Sequence, residues 1–200
     1  MDYNLFLGEL GVKVGISGSH STGKSTLCNE LLGMRATYKI CPEVPRDIVE
    51  YLQDPTFFRA GSNSLVRQIL LLFCQCVAES AAKPSEGLII TDRTLVDHIA
   101  YSILLFPDLT HTPEYKVIKR AVATHLPSYS LIFKVPIEFQ IQEDGVRELN
   151  KNFQMTVDHV INQLYREFYT PVIEIAGSLT RRAKLVDEII QQASLQGDPI

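Results

Sequence analysis

The sequence predicts an α/β protein built on a parallel sheet with helices on both faces. Three observations carry this. Short apolar runs alternate with stretches of helical periodicity; the run at residues 88–91 is apolar but for Thr91, as suits a strand covered on both faces; neither repeats nor low-complexity linkers interrupt the alternation. With 200 residues, 46% of them hydrophobic and 21% charged, a single domain over residues 1–200 has material for one contiguous core.

The first strand is expected at residues 12–16, followed by a helix at 24–32 with Leu27, Leu31 and Leu32 at helical spacing. A short strand at 38–41 ends at Pro42 and Pro45, and a helix is expected at 46–53. Residues 63–82 form the strongest helical pattern, with Leu65, Ile69, Leu72, Phe73 and Cys76 on one face. The central strand at 88–91 leads into a helix at 94–105, and Pro113 opens another at 113–125. A strand at 130–135 is closed by Pro136, a polar segment follows, and a helix at 154–169 stops before Pro171. The last strand at 172–175, a Gly177-Ser178 turn and an amphipathic helix at 179–192 complete the pattern.

A formal net charge of −4 gives no global field toward nucleic acid or an anionic membrane, although a local basic groove stays open. Cys28, Cys41, Cys74 and Cys76 form no CxxC pair and have no matching histidine spacing, so neither a zinc site nor a disulfide framework is expected. The longest apolar run, residues 69–74, falls well short of the ~18 residues of a membrane span. No basic, apolar leader opens the chain, and the expectation is a cytoplasmic protein without a membrane partner.

The chemistry concentrates in Gly18-Ser19-His20-Ser21-Thr22-Gly23-Lys24-Ser25, followed by Thr26, which fits G-x-x-x-x-G-K-[ST] at a strand-to-helix junction. Its glycines let several backbone N–H groups converge on one anion, and the following helix adds its positive dipole end. Lys24 is expected to reach the β- and γ-phosphates and Ser25 to ligate magnesium. His20 either leans over the phosphates or is merely tolerated in the loop. Asp92, at the end of the central strand, stands where ligands bind in open α/β sheets, and it is the second candidate for magnesium. Arg93 beside it could bind a phosphate or orient an acceptor. A GTPase would require N-K-x-D, which is absent; the strand end LIITDRT also lacks the consecutive acids of a motor ATPase.

Taken together, GSHSTGKST, CPEVPRDI, LIITDRTLVDHIAY and EDGVRELN resemble the small P-loop nucleoside and nucleotide kinases, especially the deoxynucleoside-kinase-like and nicotinamide-riboside-kinase-like AAA/P-loop domains. The resemblance runs from about residue 12 to 182. It implies a three-layer P-loop kinase fold with strand order 2-3-1-4-5, an acceptor site beside the end of strand 2, and a lid, placed at residues 138–152. It also implies that Glu43 takes the proton of the acceptor hydroxyl, with Asp47 as the alternative and Arg46 as an acceptor contact. Gln68 or Gln75 would read a base or serve structurally. Asp97 and Tyr101, four apart on one helical face, would fix Arg93 or line the acceptor pocket. Arg147, beside Gly145, is the lid cation, with Lys151 one turn further on, and Arg182 would lie against adenine.

The expected activity is an ATP- and Mg²⁺-dependent phosphotransferase acting on a nucleoside, nucleotide or nucleoside-like acceptor. Lys24, Glu43, Asp92, Arg93 and Arg147 would carry the transfer; Glu43, Arg46, Gln68, Arg93 and Asp97 would contact the acceptor. Two alternatives stay open: a kinase of a modified base or end of DNA or RNA, using Arg46, Arg67, Lys116, Lys119 and Arg120, and a regulatory ATP-binding module without kinase activity. Monomer and homodimer are both compatible with the apolar helix at 63–82.

Overall fold

Strand β1 (Lys13–Ser17) is buried along its whole length, as its position at the centre of the sheet demands. The computed structural model describes residues 12–43, 65–82, 87–138 and 151–195. After β1 come α1 (Lys24–Met34), β2 (Tyr38–Cys41), α2 (Leu65–Ala81), β3 (Leu88–Asp92), α3 (Leu95–Leu105) and α4 (Pro113–His125). Then follow β4 (Leu131–Lys134), α5 (Lys151–Glu167), β5 (Ile173–Glu174) and α6 (Leu179–Leu195). The expected helix at 46–53, including Arg46 and Asp47, lies outside the described residues, as do Arg147 and nearly all of the lid segment.

The five strands are parallel in the order β2-β3-β1-β4-β5. Ile16 pairs with Asp92, Cys41 with Thr91 and Ser17 with Lys134, so the C-terminal ends of four strands line one edge of the sheet. α1 and α6 cover one face, burying Leu27, Leu31, Val186 and Ile190 against Val14, Ile16, Ile90 and Phe133. The other face is covered by α3, α4 and α5, where Val96, Ile99, Val122, Val157 and Ile161 meet Ile132. At ~25 cal/mol per Å² removed from water, each of these aliphatic side chains contributes roughly 1.5–3 kcal/mol before entropy is counted.

Most elements fall where periodicity puts them, with differences at their ends. Thr94 is the N-cap of α3 rather than its first residue, and Pro113 sits in the first turn of α4 behind the Thr112 cap. Lys151 and Asn152, expected in the lid, are the first residues of α5. That helix stops at Glu167, and Tyr169 takes φ 52°, so the chain turns before Pro171. Strand β5 is shorter than its apolar run, since it pairs on one side only, with β4. Among the described residues no helix is long and apolar enough to cross a membrane.

Candidate active site

The phosphate loop leaves β1 at Gly18, whose φ of 139° and closeness to Val135 exclude a side chain. An added Cβ would lie 2.6 Å from the Val135 carbonyl oxygen. Gly23 is the N-cap of α1 at φ 86° and offers no side-chain cap. The first amides of α1 lack intrahelical acceptors, so an anion is their natural partner.

Three helices hold this loop from outside. From α3, Asp97 is fully buried, and its Oδ1 accepts from Ser17 Oγ at 2.8 Å and Gly18 N at 3.0 Å. Its Oδ2 accepts from Thr94 N at 2.7 Å and Thr94 Oγ1 at 3.2 Å, closing a capping box. Tyr101, one turn on, accepts from His20 N at 2.9 Å and meets His20 Nδ1 at the same distance. From α5, Gln154 Nε2 donates to the His20 carbonyl at 2.7 Å, and Phe153 completes an aromatic group with His20 and Tyr101. From α6, Arg182 Nη1 donates to the Thr22 carbonyl at 3.1 Å, with the guanidinium against Gly23.

These contacts redistribute the expected roles. Asp97 directs all four of those hydrogen bonds at the loop and the helix cap, which makes it a brace for the loop. Tyr101 is another brace, and its ring also lies 5.3 Å from the Arg93 guanidinium. Arg182 reaches the loop backbone. His20 points away from the loop's interior, toward Tyr101 and Phe153.

Inside the loop, Lys24 is buried, with Nζ donating to the Ser19 carbonyl and, at 3.4 Å, to Thr22 Oγ1. Burial first, then the positive charge of Arg93, pushes its pKa down to about 8 against the opposing pull of Asp97, Asp92 and Glu43. Ser25, on the first turn of α1, is half-buried.

Asp92 ends β3 beside the loop and is only 5% exposed, yet among the described residues its Oδ1 has no hydrogen-bond partner. A buried carboxylate oxygen without a donor is costly unless a cation meets it. Together with the Ser25 hydroxyl, this donor set fits an oxygen-preferring divalent ion such as magnesium, completed by phosphate and water oxygens. Among the described residues no cluster of three or more His, Cys, Asp and Glu could hold a metal by itself.

Arg93 follows at φ 89°, a left-handed conformation rare for a side chain of this size and costing about 1–3 kcal/mol. Its amide still bonds the Ile16 carbonyl at 3.0 Å, while its side chain swings toward β2. There Nε donates to Glu43 Oε1 at 2.5 Å, in a pair less than 10% exposed on either side. Burial opposes the Arg93 charge most strongly, but Glu43, Tyr101, Asp97 and Asp92 together outweigh it, and the guanidinium pKa is held above its ordinary value.

β2 and β1 are separated by β3, so the Glu43 end and the loop stand about 10 Å apart at ~4.8 Å per strand. Asp92 and Arg93 occupy the interval. One side chain here is not legible in the sequence: His98, buried with Nε2 unpartnered among the described residues, whereas Ser19, expected from the loop motif, is likewise buried with Oγ unpartnered. Burial, then Arg93, pushes the His98 pKa down to about 4, leaving a neutral imidazole near the Arg93–Glu43 pair. No periodicity distinguishes such a histidine from a core residue.

Of the two glutamines on α2, Gln75 donates to Glu79 at 3.0 Å, a structural contact. Gln68 is buried two turns earlier, about 10 Å along the helix axis. The basic residues of α4 do not face the loop. Lys119 pairs with Glu167, and Lys116 and Arg120 border a groove with His125.

A family model described as an AAA domain matches residues 13–182. No curated protein matches the sequence. Among solved structures, NadR in complex with NR superposes with a TM-score of 0.66 at 18% identity, over 94% of this chain and 53% of that one. Deoxyadenosine kinase from M. mycoides, with dCMP and dCDP, gives 0.64 at 14% identity over 90% and 99%. Thymidylate kinase from Candida albicans gives 0.60 at 15% identity over 92% of each. The chain thus spans about half the length of the NadR chain and nearly all of the two kinases, and it is built on the P-loop kinase fold they share.

Proposed function

On the premise that this chain belongs to the AAA-domain family, we propose that it is an ATP- and Mg²⁺-dependent kinase that phosphorylates a nucleoside-like small molecule. The observation that carries this reading is the buried Glu43–Arg93 pair, standing across Asp92 from the Lys24 loop on one edge of a parallel sheet. A nucleotide-hydrolysing switch needs the loop and a metal ligand. It has no use for a carboxylate set two strands away, at the separation an acceptor would fill.

Bound magnesium nucleotide would supply the transferable phosphoryl group and a divalent charge on its oxygens. Lys24 lies where its ammonium can turn from the Ser19 carbonyl to phosphate oxygens, and Ser25 and Asp92 are the residues that would hold the metal. Glu43 orients the acceptor hydroxyl and takes its proton. The hydrogen bond from Arg93 Nε holds that carboxylate in place, so that it directs the acceptor hydroxyl as well as accepting its proton. Arg147 is proposed as a further cation on the transferring group, and Arg46, Gln68 and His98 as acceptor contacts. The Asp92-Arg93 sequence, with no second acid, supports a kinase rather than a motor.

The test is an acceptor panel with labelled ATP, covering nucleosides, nucleotides, nicotinamide riboside and modified DNA. A kinase shows ADP release that one acceptor class stimulates and label in the product. ADP release indifferent to every acceptor would support the regulatory-module reading instead.

A further inference from the structure

At the opposite edge of the sheet, a second group of reactive side chains surrounds Glu79 of α2. Lys13 opens β1 and Ser17 closes it, so the two edges lie about 13 Å apart. Glu79 is buried, and its Oε2 meets Lys13 Nζ at 3.1 Å and His125 Nε2 at 2.8 Å. Its Oε1 accepts from Tyr129 Oη at 2.8 Å and Gln75 Nε2 at 3.0 Å. Burial alone would raise the Glu79 pKa, but His125, Lys13 and the other donors outweigh it and keep the carboxylate charged. On the other side of the imidazole, His125 Nδ1 lies 3.7 Å from Cys76 Sγ, one turn before Glu79 on the same helix. Cys76 and His125 both line the groove between α2 and α4, where Lys116 and Arg120 supply positive charge and Val117 an exposed apolar wall.

We propose that Cys76 is a nucleophilic thiol, served by the His125–Glu79 relay and open to small anionic disulfides through the Lys116–Arg120 groove. With Nε2–H donating to Glu79 Oε2, the Nδ1 lone pair faces the Cys76 thiol and can take its proton as the sulfur attacks. In the reaction, the thiolate attacks one sulfur of a low-molecular-weight disulfide bearing carboxylates. The Cys76–sulfur bond forms as the reagent's S–S bond breaks, and the departing thiolate carries the electron pair and is protonated by water. The carboxylates of such a reagent meet Lys116 and Arg120. This site is independent of the phosphate loop and of the kinase reading.

The experiment treats the full chain at pH 7 with an anionic disulfide, 5,5′-dithiobis(2-nitrobenzoate), and a neutral one, 4,4′-dithiodipyridine, and follows each cysteine by peptide mass spectrometry. Cys74, two residues away and in the same half-buried class, is the internal reference. Cys76 should react at least about tenfold faster than Cys74. Replacing Lys116→Gln and Arg120→Gln together, both exposed, should slow the anionic reagent about tenfold while changing the neutral one less than about twofold. His125→Gln should slow both. Equal rates at Cys74 and Cys76 overturn the proposal, as does an anionic-to-neutral ratio unchanged in the surface double variant, a result that does not depend on whether His125→Gln folds.

Discussion

The carboxylate of Asp97 accepts the amide proton of Gly18 at 3.0 Å, joining the first glycine of the phosphate loop to the N-terminus of α3. All the partners named for it are donors: Ser17 Oγ, Gly18 N, Thr94 N and Thr94 Oγ1. Asp97→Asn turns an NH₂ group against at least one of them. Loss of a buried, satisfied contact costs about 1–3 kcal/mol, which for a chain of this size lowers Tm by roughly 2–12 °C. The KM for ATP should rise at the same time. A thermal melt within about 1 °C of the parent would remove Asp97 from the role of brace.

Asp92 predicts the opposite pattern. Its buried Oδ1 has no hydrogen-bond partner among the described residues, which is costly for a carboxylate oxygen. Asp92→Asn removes that cost, so the ligand-free Tm should stay level or rise. The additional Tm gained on adding Mg-ATP should shrink, and the magnesium concentration for half-maximal turnover should increase about 10–100-fold. A lower ligand-free Tm with unchanged magnesium dependence contradicts the metal assignment.

Lys24 titrates near a working pH because its pKa is pushed down from 10.5 to about 8. Between those two values the unfolded chain binds the proton and the folded chain does not. Stability contributed by this group therefore rises with pH across pH 8–10.5, and below pH 8 the folded protein bears the burial cost of the charge. Nucleotide binding needs the charged form, so the Kd for ATP should be flat below pH 8 and increase about tenfold per unit above it. Calorimetric titrations from pH 6.5 to 9.5 provide the measurement. Lys24→Arg, always charged, should flatten the upper limb whatever its absolute affinity.

Glu43 and Arg93 separate chemistry from stability. Glu43→Gln keeps an oxygen for Arg93 Nε but removes the base, and kcat should fall about 10²–10⁴-fold with a smaller change in KM. Arg93→Met removes the guanidinium that balances the buried Glu43 carboxylate and should cost about 3–5 kcal/mol in denaturant unfolding. The double variant should be more stable than Arg93→Met alone, because Glu43→Gln then leaves no carboxylate charge to be balanced. Additive losses would show that the two residues act independently.

Local patterning is what the sequence transmits well. The apolar runs and helical spacings marked five strands and most of the described helices, because a strand covered on both faces reads as a short apolar run and a helix with one covered face keeps its 3.6-residue period. The glycine-lysine loop was legible for a related reason: its geometry is written within eight residues. Gly18 and Gly23 adopt the positive φ values that only a short run of backbone must satisfy. The strand order came from resemblance, since nothing local says which parallel strand lies beside β1.

Tertiary structure alone decided who partners whom across long separations. Asp97 and Tyr101 were legible as two residues on one helical face, yet their partners Ser17, Gly18 and His20 lie about eighty positions away. Glu43 meets Arg93 across fifty residues because β2 and β3 run parallel in register and Arg93 turns back at φ 89°. Cys76, Glu79 and His125 gather because α4 packs back toward α2. A side chain's chemistry is set by the charges and donors within a few ångströms, and folding, not adjacency in the chain, brings them there.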